Sequence, residues 1–153
     1  MNIRLATIND RDNILLLLDE LIKEVNKKSG KHAVFTKGEE GRKKMYEELL
    51  NMLDVKIFVV EEASNLIGIA DLFIMPIMRR GYYQGHIEDF VITENMRGKG
   101  IGTALMNAIK NYCRENNIKV IKLTSGFELE DAHKFYEKQG GVHTEKMFRF
   151  DLK

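Results

Sequence analysis

A chain of 153 residues with 44% hydrophobic content is long enough to bury a substantial core and is most simply one domain spanning residues 1–153. Its 24 lysines and arginines stand against 23 acids, and a net charge of +1 gives no global pull toward nucleic acid or an anionic membrane, so any anion site must be local. The single cysteine, Cys113, closes no internal disulfide, Met1 leads into mixed polar sequence rather than an apolar signal segment, and no apolar run is long enough to span a bilayer, which makes a cytoplasmic location the expectation.

In chain order, Ile3, Leu5 and Ala6 alternate with polar residues and read as a first strand, after which Asn9 or Asp10 is placed to cap a helix. Ile14, Leu17, Leu18, Leu21, Ile22 and Val25 mark the buried face of that helix, which is expected to stop near Asn26. Residues 27–38 are basic and broken by Ser29, Gly30 and Gly38, the pattern of an exposed loop in which His32 is solvated. A second helix over residues 39–53 presents Met45, Leu49, Leu50 and Leu53 on one side. Residues 55–61 and 66–75 are apolar strand candidates joined through Ala63, Ser64 and Asn65, so they should pair antiparallel. Pro76 cannot donate a ladder hydrogen bond and is expected to end the second strand, leaving Arg79, Arg80, Tyr82 and Tyr83 in a loop at a substrate mouth or over the core.

Residues 87–103 organise the rest of the chain. Phe90, Val91 and Ile92 suit a buried strand, while Ile101, Leu105, Ala108, Ile109 and Tyr112 recur at one-face helical spacing. Between them Gly98, Gly100 and Gly102 remove the Cβ atoms that would hold a ligand off, so the unpaired N–H groups of a first helical turn can meet one anion, with Arg97 and Lys99 adding positive charge. A nucleotide P-loop is excluded because Lys99 is followed by Gly100 rather than Ser or Thr. A dinucleotide fingerprint is excluded because Thr103 stands where its third glycine belongs. Cys113 falls within the helical pattern without a partner for nucleophilic chemistry and reads as packing. Residues 120–124 form another strand, residues 129–139 a helix ending at Gly140 and Gly141, and Val142 with residues 147–152 closing strand material.

What remains is the pattern Arg/Gln-x-x-Gly-x-Gly/Ala, met by Arg97, Gly100 and Gly102. With the strand before it, the helix after it, and the later segment Ala132-His133-Lys134-Phe135-Tyr136-Glu137-Lys138-Gln139-Gly140, it resembles the acetyl-CoA-binding motif of the GNAT superfamily of N-acetyltransferases over about residues 87–140. The resemblance implies a mixed α/β fold of order β-α-α-β-β-β-α-β-α-β, with a twisted mixed sheet and helices on both faces. It further implies that strands ending near Ile92 and Thr124 splay apart. Pantetheine amides would then pair with Phe90, Val91 and Ile92, and the pyrophosphate would sit on the turn formed by Arg97, Gly98, Lys99, Gly100, Ile101, Gly102 and Thr103.

The implied activity is direct transfer of acetyl from acetyl-CoA to a primary amine, with no metal. A lysine-like amine has a pKa of about 10.4, so presenting it neutral near pH 7 costs roughly 4–5 kcal/mol and a base is useful. Glu88 and Asp89 stand at the right end of the central strand, where alternation would send them to opposite faces. The stretch Ile87-Glu88-Asp89-Phe90 resembles polyamine-type members whose base matches Glu88, which is therefore favoured over Asp89. Tyr136 matches the family's general acid, a phenol of pKa about 10 facing a thiol of about 8.5. His86, His133 and His143 form no metal or triad constellation. Two residues depart from the family pattern: Leu129 replaces a polar pantetheine contact, and Gly141 replaces an aromatic. The alternatives are a non-catalytic acyl-CoA-binding module and a nucleic-acid-binding domain; the latter leans on Lys27, Lys28, Lys31, Arg79 and Arg80 but lacks a basic excess. The acceptor, a small-molecule or protein amine, stays open, and a homodimer is a family-level expectation.

Overall fold

Alternation along one strand shows how the sheet is covered. In β2 (Val55–Glu62), Val55, Ile57 and Val59 pack into one buried cluster while Phe58 and Val60 pack into another, so the strand lies between two helical layers. The computed structural model describes residues 1–29 and 38–152. A six-stranded sheet is built from β1 (Asn2–Leu5), β2, β3 (Asn65–Ile77), β4 (Tyr82–Ile87), β5 (Phe90–Ile92) and β6 (Ile118–Leu123), with β1, β2, β3, β4 and β6 side by side and β5 paired to β3. All neighbouring pairs are antiparallel except β4 with β6. Helices α1 (Arg11–Ser29) and α2 (Gly38–Leu50) cover the face that holds Ile57, Val59, Ile69 and Val91. Helix α3 (Ile101–Glu115) packs Ile101, Leu105, Met106, Ile109 and Cys113 against Phe58, Val60, Leu72 and Ile92 on the other face, where Phe135 and Tyr136 of α4 (Glu130–Lys138) join them. The expected mixed α/β class with helices on both faces is what forms.

Several local expectations differ from the structure. The first helix is entered at Thr7 through a 3₁₀ turn over Ile8–Asp10, not at Asn9 or Asp10, because the Asp10 carboxylate reaches back to the Thr7 N–H at 2.7 Å. It continues past Asn26 to Ser29, so Lys27 and Lys28 are helical; His32 and Lys31 lie outside the described residues. In α2 the buried side chain is Tyr46, whose hydroxyl donates to the Thr7 carbonyl at 2.6 Å, whereas Met45 is exposed and Leu53 lies beyond the helix in solvent. Pro76 does not end β3. The Ile74 N–H donates to the Asp54 carbonyl, so two residues on the proline nitrogen faces the same way, past the end of β2, where no ladder partner is lost. Tyr82 and Tyr83 consequently belong to β4 rather than to a loop. Residues 142–152 form no strand: Val142, Phe148, Phe150 and Leu152 are exposed, and the sheet order ends at β6.

Candidate active site

The central strand expected to carry Glu88 and Asp89 at its end, before Phe90, Val91 and Ile92, is broken. β4 ends at Ile87, β5 begins at Phe90, and the Glu88 and Asp89 N–H groups both donate to one oxygen of Asp71, at 3.0 and 2.9 Å. Successive N–H groups of a regular strand point to opposite sides, so two meeting at one oxygen require a bend. Glu88 and Asp89 are therefore not placed by strand alternation. Glu88 is exposed, with its carboxylate 3.1 Å from His86 Nε2. Asp89 is half-buried, and burial together with the nearby Asp71 charge pushes its carboxyl up to about 7. Asp71 is buried on β3, and burial, offset in part by the two backbone donors, moves it up to about 6.

Beyond the bend, β5 offers an open edge. The Asp71 N–H donates to the Asp89 carbonyl and the Thr93 N–H to the Ile67 carbonyl, which places Asp89, Val91 and Thr93 on the bonded side of the β3 ladder. The main-chain groups of Phe90 and Ile92 point the other way, and among the described residues no strand pairs with β5 on that side. Of the expected trio, Val91 is thus committed to β3. The Ile92 carbonyl already accepts from Arg97 Nε at 2.8 Å, and another Arg97 nitrogen lies 2.7 Å from Glu24 of α1. Arg97 braces the turn. Thr93 does the same, its hydroxyl lying 2.9 Å from the Glu20 carboxylate.

The turn into α3 has the expected character, with a refinement for its glycines. Gly98 and Gly100 have φ of +75° and +80°, a region that favours glycine, and a Cβ on either would meet nothing within 4 Å. Among the described residues, the N–H groups of Gly98, Lys99, Gly100, Ile101, Gly102 and Thr103 make no hydrogen bond, the first intrahelical bond running from the Ala104 N–H to the Gly100 carbonyl. Open space and unspent donors at a helix start fit an anion. Gly102 serves packing instead, since a Cβ there would come within 3.3 Å of the Phe135 ring. The Thr103 hydroxyl accepts from Gln139 Nε2 at 3.1 Å, tying α3 to the end of α4. Ile101 is buried in the core.

Tyr136 is brought to this edge. Its ring lies 6.2 Å from that of Phe90 and 5.3 Å from that of Phe135, both edge to face, and burial pushes the phenol up to about 12. Glu88 contacts His86 at the end of β4 while Tyr136 packs on Phe90 of β5, and among the described residues no hydrogen bond joins the two candidate catalytic groups. Leu129 is the residue before α4.

The profile of the Acetyltransferase (GNAT) family matches residues 17–141, most of the chain. The chain belongs to that family. It is similar to a glucosamine 6-phosphate N-acetyltransferase of Trypanosoma brucei brucei, 33% identical over 114 residues that cover 69% of this chain and 76% of the relative. It is also similar to an aminoalkylphosphonate N-acetyltransferase of Salmonella typhimurium, 25% identical over 151 residues covering 97% and 88%. Among solved structures, a Trypanosoma brucei acetyltransferase superposes with a TM-score of 0.74 at 27% identity, covering 99% of each chain. The structure of a transcriptional regulator from Bacillus halodurans C-125 reaches 0.85 at 20% identity, again over 99% of each, a likeness of fold alone. The chain is thus an N-acetyltransferase of the GNAT type, a family whose members use acetyl-CoA as donor. Among the described residues no helix is long and apolar enough to cross a membrane.

Sequence reasoning missed Asp71. Its signal was present: a lone acid within the apolar run Ile67-Gly68-Ile69-Ala70-Asp71-Leu72-Phe73, which burial permits only where donors await it.

Proposed function

We propose that this chain, acting as one catalytic domain, moves the acetyl group of acetyl-CoA directly to the primary amine of a small acceptor, with Glu88 as base and Tyr136 as acid. The observation that carries the reading is the conjunction of an open β5 edge, unspent N–H donors from Gly98 to Thr103, and Tyr136 packed against Phe90. Phe90 and Ile92 offer main-chain groups to the pantetheine amides. Gly98, Lys99, Gly100, Ile101, Gly102 and Thr103 offer N–H groups to the pyrophosphate, in a helix-end field worth about 0.3–1 kcal/mol at an exposed terminus. Arg97 acts by bracing the turn. Bound acetyl-CoA supplies the thioester carbon that the amine nitrogen attacks, with the C–N bond forming as the C–S bond breaks. Glu88, exposed at the bend, takes the proton that the nitrogen sheds, and its contact with His86 keeps the carboxylate beside a ring that can itself pass a proton. Tyr136 gives a proton to the departing sulfur; like any phenol it is protonated at neutral pH, and burial, by raising it to about 12, makes it a weaker donor than a free phenol.

Both named relatives act, by their names, on amines that also carry a phosphate or phosphonate. An acceptor panel should therefore contain amino-sugar phosphates and aminoalkylphosphonates beside polyamines, aminoglycosides and peptides, with release of free CoA as the signal. Turnover on one class names the acceptor; tight acetyl-CoA binding without turnover on any of them would favour a binding module. We further propose a homodimer in which a second copy covers the exposed segment with Phe148, Phe150 and Leu152, for which the outer edge of β6, unpaired among the described residues, is a ready partner. Sedimentation as a monomer at micromolar concentration would contradict it.

A further inference from the structure

The bend between β4 and β5 is the feature on which both halves of the proposed site depend, and one side chain makes it. In a regular antiparallel ladder the Asp89 N–H would go to a main-chain carbonyl of β3 and the Glu88 N–H would point away. Here Asp71 Oδ1 collects both, at 2.9 and 3.0 Å, while the Asp71 N–H still donates to the Asp89 carbonyl at 3.2 Å. One residue of β3 therefore both continues the ladder and terminates it. Leu72 and Ala70 beside it are fully buried and apolar, so nothing else on that stretch of β3 has a side-chain acceptor to offer.

We propose that Asp71 is a positioning residue of the acetyl-transfer site: by holding the N–H groups of Glu88 and Asp89 it keeps the strand bent, with Glu88 presented on the β4 side and the edge of Phe90 and Ile92 open to the cofactor. This rests on the reading of that edge as the acetyl-CoA seat. The groups facing Asp71 make the arrangement specific. Asp89 and Glu88 lie on the bent segment, His86 holds Glu88 from β4, and Arg42 of α2 acts on Asp89 from across the helical layer while itself bound to Asp19 at 2.6 Å. No cation pairs directly with Asp71 among the described residues, so its carboxylate is held by main-chain donors alone, in charge-assisted bonds about twice as strong as neutral ones. Burial first, and then the charge of the neighbouring acids, moves both carboxyls up.

The test compares Asp71→Asn, which keeps an oxygen where both N–H groups need it, with Asp71→Leu, which keeps size and removes the acceptor. Calorimetric titration with acetyl-CoA at pH 7.5 should leave Asp71→Asn within about threefold of wild type and weaken Asp71→Leu by about tenfold or more, the cost of two orphaned donors. In parallel, amide resonances of Glu88 and Asp89 should remain protected from exchange in wild type and Asp71→Asn. That spectroscopic arm decides the matter should Asp71→Leu fail to fold: freely exchanging Glu88 and Asp89 amides in Asp71→Asn, with affinity unchanged, would overturn the role. So would a folded Asp71→Leu that binds like wild type. Absence of acetyl-CoA binding by the wild-type protein is a separate result, which overturns the functional reading itself while the exchange data still report the bend.

Discussion

Asp10 and Asp71 are almost equally hidden, at 6% and 7% exposure, yet their carboxyls shift in opposite directions. Asp10 is gripped by both terminal nitrogens of Arg4 at 2.8 and 2.9 Å and by the Thr7 N–H, and these hold it down at about 2. Asp71 has main-chain donors and no guanidinium, and beside it stands Asp89, so burial prevails and both acids rise. The lesson is that burial alone says little about an acid; its partners decide whether it is a clasp or a poised group. A clasp steadies the fold. Poised acids at a strand bend belong where chemistry is done.

If that division is real, substitutions near the bend should act on rate and those near Arg4 on stability. The largest effect is expected at the reacting edge. Tyr136→Phe preserves the ring contacts with Phe90 and Phe135 and should lower the single-turnover rate by about 10²–10⁴-fold with acetyl-CoA affinity unchanged. Glu88→Gln should lose most at low pH, where the amine is chiefly protonated, and regain part of its rate as pH rises. Near-wild-type single-turnover rates in both, measured across pH on the identified acceptor, would discard the acid and base roles.

Next in size, Asp10→Asn should cost about 1–3 kcal/mol of unfolding free energy by leaving the Arg4 guanidinium short of its partner, with no change in acetyl-CoA affinity. Because the folded carboxyl lies below its unfolded value of about 3.9, the Asp10 contribution is present above that pH and is lost as pH falls toward about 2. The bend has the opposite sign. Asp71 and Asp89 lie above their unfolded values, so their contribution is fully present below about pH 3.9 and is lost as pH rises through about 6 and 7. Asp89→Asn should therefore stabilise the protein by about 1 kcal/mol at pH 8 and by less at pH 5, read from denaturant midpoints at the two pH values. A midpoint gain independent of pH would break the contrast between the two regions.

The sequence announced what depends on period and local chemistry. The α3 face, the glycine turn and the antiparallel pairing of β2 with β3 follow from spacing. What escaped it depends on which groups meet in space. Pro76 stays in β3 because β2 has already ended beside it. Tyr46 rather than Met45 faces inward because a distant carbonyl, that of Thr7, takes its hydroxyl. At the site, the position of Tyr136 against Phe90 was within reach of motif reading, whereas the bend at Glu88 and Asp89 was not, since its cause lies on another strand at Asp71. Arg97, expected beside the phosphate, also braces the turn through the Ile92 carbonyl and Glu24, a use of charge that only the packing of α1 against the turn reveals.

The most direct measurement is calorimetric titration of acetyl-CoA into wild type and Gly100→Asp. Gly100 is preferred to Gly102, whose Cβ would press on Phe135 and confuse packing with binding. At φ +80° an aspartate costs about 1 kcal/mol of backbone strain, and its side chain enters open space beside the unspent N–H groups. The wild type should bind, and the folded Gly100→Asp protein should bind at least about tenfold more weakly, because a carboxylate would stand where the pyrophosphate belongs. Equal affinities in two well-folded proteins would contradict the seat at the start of α3.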